Sequence, residues 1–260
     1  MTLRCLTLNI EHGRSANSES HAFNKALDEL QELAPDILML QEVDGRRRVQ
    51  LTTRNATRVS QAEQIAQKLG MHYVYAPSAF GYGVAILSTM SIMAARFLRL
   101  PPVVLPLQRP AGAQLVRARW PEPRTALYAY LNHPHKPLIV ATTHLDIDQN
   151  AAPHQLDIVA RGYEKVAQYW QIPGAATSSS LLLAGDLNLR PAAVSKVLEQ
   201  IPSKYSIPRV PLAAGLTYPR RNPKWQIDHM LGYRLTSSSS RVISTAISDH
   251  VGLLAHIDIS

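Results

Sequence analysis

Asn9, Glu42, His144 with Asp146, Asp186 with Asn188, and Asp249 with His250 each stand just beyond an apolar run of the sequence. A strand end is held rigidly by its sheet while the loops beyond it vary, so functional side chains collect there. Taken singly, each residue has a plain structural use: Asn9 in a turn, Glu42 as a surface charge, a histidine as a packed strand-end residue. Together they supply carboxylates, amides and imidazoles, the set that hydrolysis of a phosphoester needs. Hard oxygen donors suit Mg²⁺, which keeps several waters and takes few protein carboxylates. No two histidines stand at H-x-x-x-H spacing, and with the single cysteine, Cys5, there is no C-x-x-C, which disfavours zinc. G-x-S-x-G and G-x-x-x-x-G-K-[ST] are absent, against a serine hydrolase and a P-loop nucleotidase. Gly81-Tyr82-Gly83 is only a two-glycine fragment and reads as strand or turn geometry.

The elements that must position these residues follow from apolar spacing. Leu6, Leu8 and Ile10 alternate with Thr7 and Asn9, a strand over 3–10 that feeds the polar stretch Glu11 to Ser18. Ala22, Phe23, Ala26, Leu27, Leu30 and Leu33 share a helical face, with Ser20 as its cap, Pro35 as its stop and a strand over 37–40 beyond. A second helix carries Val59, Ala62, Ile65, Ala66 and Leu69 and closes at Gly70. Short β-rich runs at 73–75, 84–87, 91–98 and 126–131 predict meandering antiparallel strands, with a proline-rich surface loop between Pro101 and Pro110. The run 138–143 reads as a buried strand before a strong amphipathic helix from Leu156 to Trp170, ended by Pro173-Gly174. Further strands are expected at 181–184, 227–231 and 251–259, and a helix at Pro191; Thr177–Ser180 and Ser237–Ser240 read as polar loops. Strands interspersed with one-sided helices imply a layered α/β arrangement, and one domain over 1–260 is enough.

At 260 residues, 46% hydrophobic and 18% charged, the chain can bury a large core, which excludes a disordered or fibrous protein. Cys5 lies in an apolar run and reads as a small core residue. No leader pattern and no apolar run of about 20 residues is visible, so the expectation is a soluble cytoplasmic protein without a transmembrane segment. A net charge of +8 attracts polyanions, whether nucleic acid, lipid headgroups or an inositol phosphate. The densest basic spots are Arg46-Arg47-Arg48 and Arg220-Arg221.

Seven short motifs then stand in order: Leu8-Asn9-Ile10, Leu40-Gln41-Glu42-Val43-Asp44, Tyr82-Gly83-Val84-Ala85-Ile86-Leu87-Ser88, Thr143-His144-Leu145, Gly185-Asp186-Leu187-Asn188, Gln226-Ile227-Asp228-His229 and Ser248-Asp249-His250. In this order they resemble the metal-dependent endonuclease/exonuclease/phosphatase superfamily, which includes pancreatic deoxyribonuclease, AP endonucleases, neutral sphingomyelinases and inositol polyphosphate 5-phosphatases. The resemblance implies a four-layer α/β sandwich, two mainly antiparallel sheets packed face to face with helices outside, and a site at one end of the sheets. It implies Glu42 as principal Mg²⁺ ligand (Mn²⁺ as a substitute), with Asn9 beside it, Asp249 as a contributor, and Glu11 standing where AP endonucleases place an aspartate. Asp186 would orient or deprotonate the attacking water, and Asn188 would hold phosphate or nucleophile. Asp228 and His250 resemble the family's buried carboxylate–imidazole pair, and His144 its second histidine. The implied reaction is in-line attack of water on phosphorus.

The substrate is not fixed by the resemblance, because one family core serves DNA, RNA, lipid and inositol phosphate enzymes. AP endonucleases often carry Glu-Thr-Lys where this chain has Glu42-Val43-Asp44, and Ile-Asp-Tyr where it has Ile227-Asp228-His229, which weakens DNA-repair incision. DNA or RNA is favoured by the basic balance and by Arg46, Arg47 and Arg48 as substrate-binding residues after Glu42. The alternatives are a lipid headgroup or an inositol or small-molecule phosphate, with an inactive nucleic-acid-binding module more remote. Apolar loops around Phe80, Tyr82 and Trp225 would favour lipid if exposed, but aromatics there serve base stacking or interior packing at least as well.

Overall fold

The computed structural model describes residues 2–11, 19–45, 48–51, 56–78, 81–102, 122–172 and 179–259. In chain order its elements are β1 (Thr2–Asn9), α1 (Glu19–Leu33), β2 (Ile37–Asp44), β3 (Arg48–Leu51), β4 (Ala56–Val59), α2 (Gln61–Leu69), β5 (His72–Pro77), β6 (Tyr82–Ser88) and β7 (Ile92–Leu100). They continue with β8 (Arg124–Leu131), β9 (Leu138–His144), α3 (Ala151–Tyr169), β10 (Ser180–Asp186), α4 (Pro191–Gln200), β11 (Val210–Ala213), β12 (Asp228–Tyr233), β13 (Leu235–Ser244) and β14 (Val251–Ile259).

The strands form two six-stranded sheets, ordered β13-β14-β1-β2-β6-β5 and β11-β12-β10-β9-β8-β7, and β3 and β4 form a separate two-stranded ribbon. Each large sheet holds a parallel pair, β1 with β2 and β9 with β10, and is otherwise antiparallel. Side chains alternate across a strand, and here the alternation separates three apolar clusters. Leu3 and Cys5 of β1, Ile37 and Met39 of β2, Leu127 and Ala129 of β8, and Leu182 and Ala184 of β10 meet between the sheets. Leu6, Leu8, Leu38 and Leu40 turn the other way, onto Phe23, Ala26 and Leu30 of α1 and Ala62, Ile65 and Ala66 of α2. Leu181 and Leu183 turn outward onto Leu156, Val159, Tyr163 and Val166 of α3 and Val194 and Leu198 of α4. The order of layers is therefore helices, sheet, sheet, helices, the four-layer sandwich that the motif resemblance implies. Among the described residues no helix is long and apolar enough to cross a membrane.

Five details differ from the sequence reading. Val59, expected on the second helix, ends β4 and precedes the cap of α2. Ser20 lies inside α1 and so is not its cap, whereas Ser60 and Glu63, which carried no expectation, form a capping box on α2 opposite Gly70 at φ 65°. The helix α3 stops at Tyr169, before Pro173-Gly174, because Gln171 turns to φ 51°; Pro173 and Gly174 lie outside the described residues. Ser237–Ser240 is strand rather than loop: as part of β13 it pairs along β14, with a register shift between Ser237 and Ser239. An edge strand can carry polar residues because its backbone pairing on one side suffices and its side chains face water. Ser180 likewise opens β10 instead of ending a loop. Most of the stretch between Pro101 and Pro110 lies outside the described residues.

Candidate active site

Strand register brings the expected residues together. Asp186, the last residue of β10, pairs with His144 on β9 and with Asp228 on β12, so these side chains are level across adjacent strands. They continue the rows of Leu182 and Ala184, Val140, and Met230, all of which face the opposite sheet. Asn9 continues the row of Leu3 and Cys5 from that opposite sheet, and its Nδ2 donates to Asp186 Oδ2 at 3.1 Å. Glu42 would by alternation follow Leu38 and Leu40 toward the helices. A bulge between Leu40 and Val43, with Glu42 at φ 55°, turns it into the cleft instead. There it accepts a second bond from Asn9 Nδ2 at 3.0 Å.

Asn9 Oδ1 accepts the Glu11 backbone N–H at 3.0 Å, so one amide fixes Glu42, Asp186 and the start of the next loop. Glu11 and Asn188 also have left-handed backbones, φ 43° and 50°, and such conformations concentrate at sites that neighbouring structure must hold in place. The Asn188 backbone N–H donates to Asp186 Oδ1 at 3.0 Å, and its side-chain Nδ2 to the Leu145 carbonyl. His250 shares a 2.8 Å hydrogen bond from Nδ1 to Asp228 Oδ2, and Ser248 ties the same loop to β1 by donating to the Asn9 carbonyl. His144 bridges the two acids, Nδ1 lying 3.7 Å from Glu42 Oε1 and Nε2 3.5 Å from Asp186 Oδ2. His250 Nε2 is 3.8 Å from both Asp186 Oδ2 and Asp249 Oδ1.

Burial and the nearby Asp228 charge push the Asp186 carboxyl up to about 7, against the lowering influence of His250, Asn9 and the Asn188 amide. Burial opposes the charged form of His250, but Asp228 first, then Asp186 and Asp249, outweigh it and raise the imidazole to about 9. Glu11 is raised by burial, then by the charges of Asp249 and Glu42.

Glu11, Glu42, His144, Asp186, Asn188, Asp249 and His250 line one cleft of about 660 Å³, together with Tyr82, Arg124 and Tyr218. Asp186, Asp228 and His250 each present a ligand atom, and these atoms lie within 4.8 Å of one another, a buried group of the kind that holds a divalent cation. Asp146 does not join the cleft: it is buried in a turn, its Oδ1 accepting the Asp148 N–H. His229 is also apart, bonded through Nε2 to the Leu189 carbonyl at 2.7 Å. Arg46 and Arg47 lie outside the described residues, and Arg48 opens β3. Arg220 holds the Asp249 loop, its N–H donating to the Asp249 carbonyl.

Tyr218 was not foreseen: its ring centroid lies 4.8 Å from that of His250 and 6.1 Å from that of Trp225, the latter pair stacked at 22°. Its position, ten residues before Asp228, carries no periodic signal. Gln41, quoted only as a motif letter, joins the sheets by donating to Thr142 Oγ1 at 2.8 Å and Thr7 Oγ1 at 3.2 Å.

Gly185 sets the close approach of β10 to β9. A Cβ there would lie 2.2 Å from the Thr143 carbonyl oxygen, and the residue sits at φ 155°. Gly185→Ala should cost about 1–3 kcal/mol or more, because backbone rather than a flexible side chain must yield, and it should displace Asp186 as well. Urea unfolding checks this as a lowered midpoint; an unchanged midpoint would contradict the close packing described.

A family model described as Endonuclease/Exonuclease/phosphatase family matches residues 6–250. No curated protein matches in sequence. Among solved structures, an endonuclease/exonuclease/phosphatase from Bacteroides vulgatus is 15% identical, with TM-score 0.69 and 100% of each chain covered. D. rerio TDP2 complexed with a single-strand DNA product is 15% identical, with TM-score 0.57 and 99% of each chain covered. The mannosyl-6-phosphatase Bt3783 of Bacteroides thetaiotaomicron VPI-5482 is 14% identical, with TM-score 0.62 and coverage of 98% of this chain and 99% of that one. At such identities these likenesses show the fold alone.

Proposed function

This chain belongs to the endonuclease/exonuclease/phosphatase family, and on that premise we propose that it hydrolyses phosphodiester bonds of nucleic acid with the help of Mg²⁺, Mn²⁺ serving as a substitute. The observation that carries the reading is the setting of Asp186, a buried carboxylate held by Asn9 and the Asn188 amide with His144 and His250 beside it. A carboxyl raised to about 7 is present in both protonation states near neutrality, which suits a group that takes a proton from attacking water. His250, kept cationic by Asp228, is suited to donate to a phosphoryl oxygen as charge gathers there. His144 and Asn188 line the same cleft and would position that phosphate.

The carboxylates of Glu42, Glu11 and Asp249 fit a hard divalent cation, since they converge on one cleft and Glu11 already feels the repulsion of the other two. A cation held there, with Asp186 nearby, would neutralise charge growing on the phosphoryl and leaving oxygens. His250 Nδ1 shares one hydrogen bond with Asp228 Oδ2, an arrangement that also suits the pair to handling a proton.

Nucleic acid is favoured by the net charge of +8 and by the aromatic pair beside His250. Trp225 is partly exposed, and the Arg190 guanidinium carbon lies 5.5 Å from its ring, a grouping suited to stacking with bases. A small-molecule phosphate ester is the second reading, because a cleft of about 660 Å³ is in the size range of small-ligand sites. Salt dependence separates the two. Binding to duplex DNA through Z phosphates should fall with a log–log slope of about −0.9Z. A slope steeper than about −3 supports the nucleic-acid reading, and a slope shallower than about −1 supports the small ester.

A further inference from the structure

Met230 of β12 faces the opposite sheet and Leu231 packs toward the outer helices, so by alternation His229 points away from the cleft, on the face opposite Asp228. His229 is 3% exposed, and its Nε2 lies 2.7 Å from the Leu189 carbonyl. A carbonyl only accepts, so this nitrogen carries the proton and donates. A histidine on the back of a sheet is ordinarily a packing residue, but the place of its partner sets this one apart. Leu189 lies between Asn188, which lines the cleft, and Arg190, whose guanidinium carbon is 5.5 Å from the Trp225 ring.

Residues 187–190 belong to neither strand nor helix, so other bonds must hold them between β10 and α4. The Leu187 N–H donates to the Ile227 carbonyl at 2.9 Å, and Gln149 Nε2 donates to the Asn188 carbonyl at 3.2 Å. The Gln149 bond is exposed, whereas the His229 bond is buried, where loss of the donor would leave a carbonyl unsatisfied. Asn188 sits at φ 50°, a conformation that persists only where its surroundings hold it. In that conformation its backbone N–H meets Asp186 Oδ1 and its side chain meets the Leu145 carbonyl.

We propose that His229 is a positioning residue: from behind the sheet it clamps Leu189 and so holds Asn188 in the left-handed turn that points its amide at Asp186. Its effect on turnover rests on the phosphoesterase reading, while the clamp itself does not.

Two variants separate the clamp from bulk packing. His229→Phe fills the site without a donor, and His229→Gln keeps a donor as its Nε2. Amide hydrogen exchange in the metal-free protein reads the loop at Asn188 and global opening at Leu253, in the middle of β14 in the other sheet. The Asn188 amide should exchange at least about tenfold faster in His229→Phe and within about threefold of wild type in His229→Gln. With Mg²⁺ and bis(4-nitrophenyl) phosphate as the probe, kcat should fall by about 10–10² in His229→Phe and return to within about threefold in His229→Gln. Asn188 exchange unchanged by His229→Phe, with or without faster exchange at Leu253, would overturn the proposal by reducing His229 to a packing residue. Equal losses in the two variants, or an Asn188 amide loosened with kcat intact, would overturn it as well. If the wild type turns over neither this diester nor nucleic acid, the phosphoesterase reading fails, and the exchange rates still decide the clamp.

Discussion

Asp186→Asn is expected to lower turnover by about 10²–10⁴ and to flatten the pH dependence of the stability of the metal-free protein. Both effects come from the same burial. The ordinary carboxyl range applies in the unfolded chain, and the folded value is raised to about 7. The folded state therefore holds the extra proton between about pH 4 and pH 7, and stability falls as pH rises through that window. Asn cannot ionise, so it removes this pH dependence along with the group that would take the proton from water, while its amide N–H must face one of the two donors that the carboxylate accepts. Thermal unfolding in EDTA should show the melting temperature of wild type falling between about pH 4 and pH 7 more steeply than that of the variant. Equal pH dependence of melting in the two proteins would contradict a raised Asp186 carboxyl.

The second large effect is expected at the Asp228–His250 pair. His250→Ala should cost at least about 10² in turnover, since it removes a positioned donor from the phosphoryl group. Asp228→Asn tests the reason His250 is cationic. Burial alone would lower the imidazole, and Asp228 is the first group that raises it. Removing that charge should move the alkaline limb of the pH–rate profile to lower pH. Asp228 also raises Asp186, so the acidic limb should move the same way. An alkaline limb left in place by Asp228→Asn would mean that His250 is not the group titrating there.

Much of the site was legible because strand ends and sheet register are both written in apolar alternation. Leu182 and Ala184 fix the face on which Asp186 emerges, and the motif order places His144 and Asp228 on its neighbours. Glu42 was legible as a strand-end residue but not in its direction, since alternation alone would turn it toward the helices, and a bulge at φ 55° reverses that. Tyr218 and Arg124 were not legible at all. Each reaches the cleft through tertiary placement of a strand start or a loop, with no spacing to announce it. The serine run of β13 misled for a related reason: its polar side chains read as loop, while pairing with β14 makes it strand.

The central claim is that Asp186 and His250 act with a divalent cation on a phosphodiester. The most direct measurement incubates wild type and the Asp186→Asn/His250→Ala double variant with plasmid DNA, structured RNA, sphingomyelin and inositol phosphates, each with Mg²⁺ and with EDTA. Mg²⁺-dependent loss of DNA or RNA with wild type alone is the expected result. Equal turnover by the double variant, or turnover that survives EDTA, would contradict it.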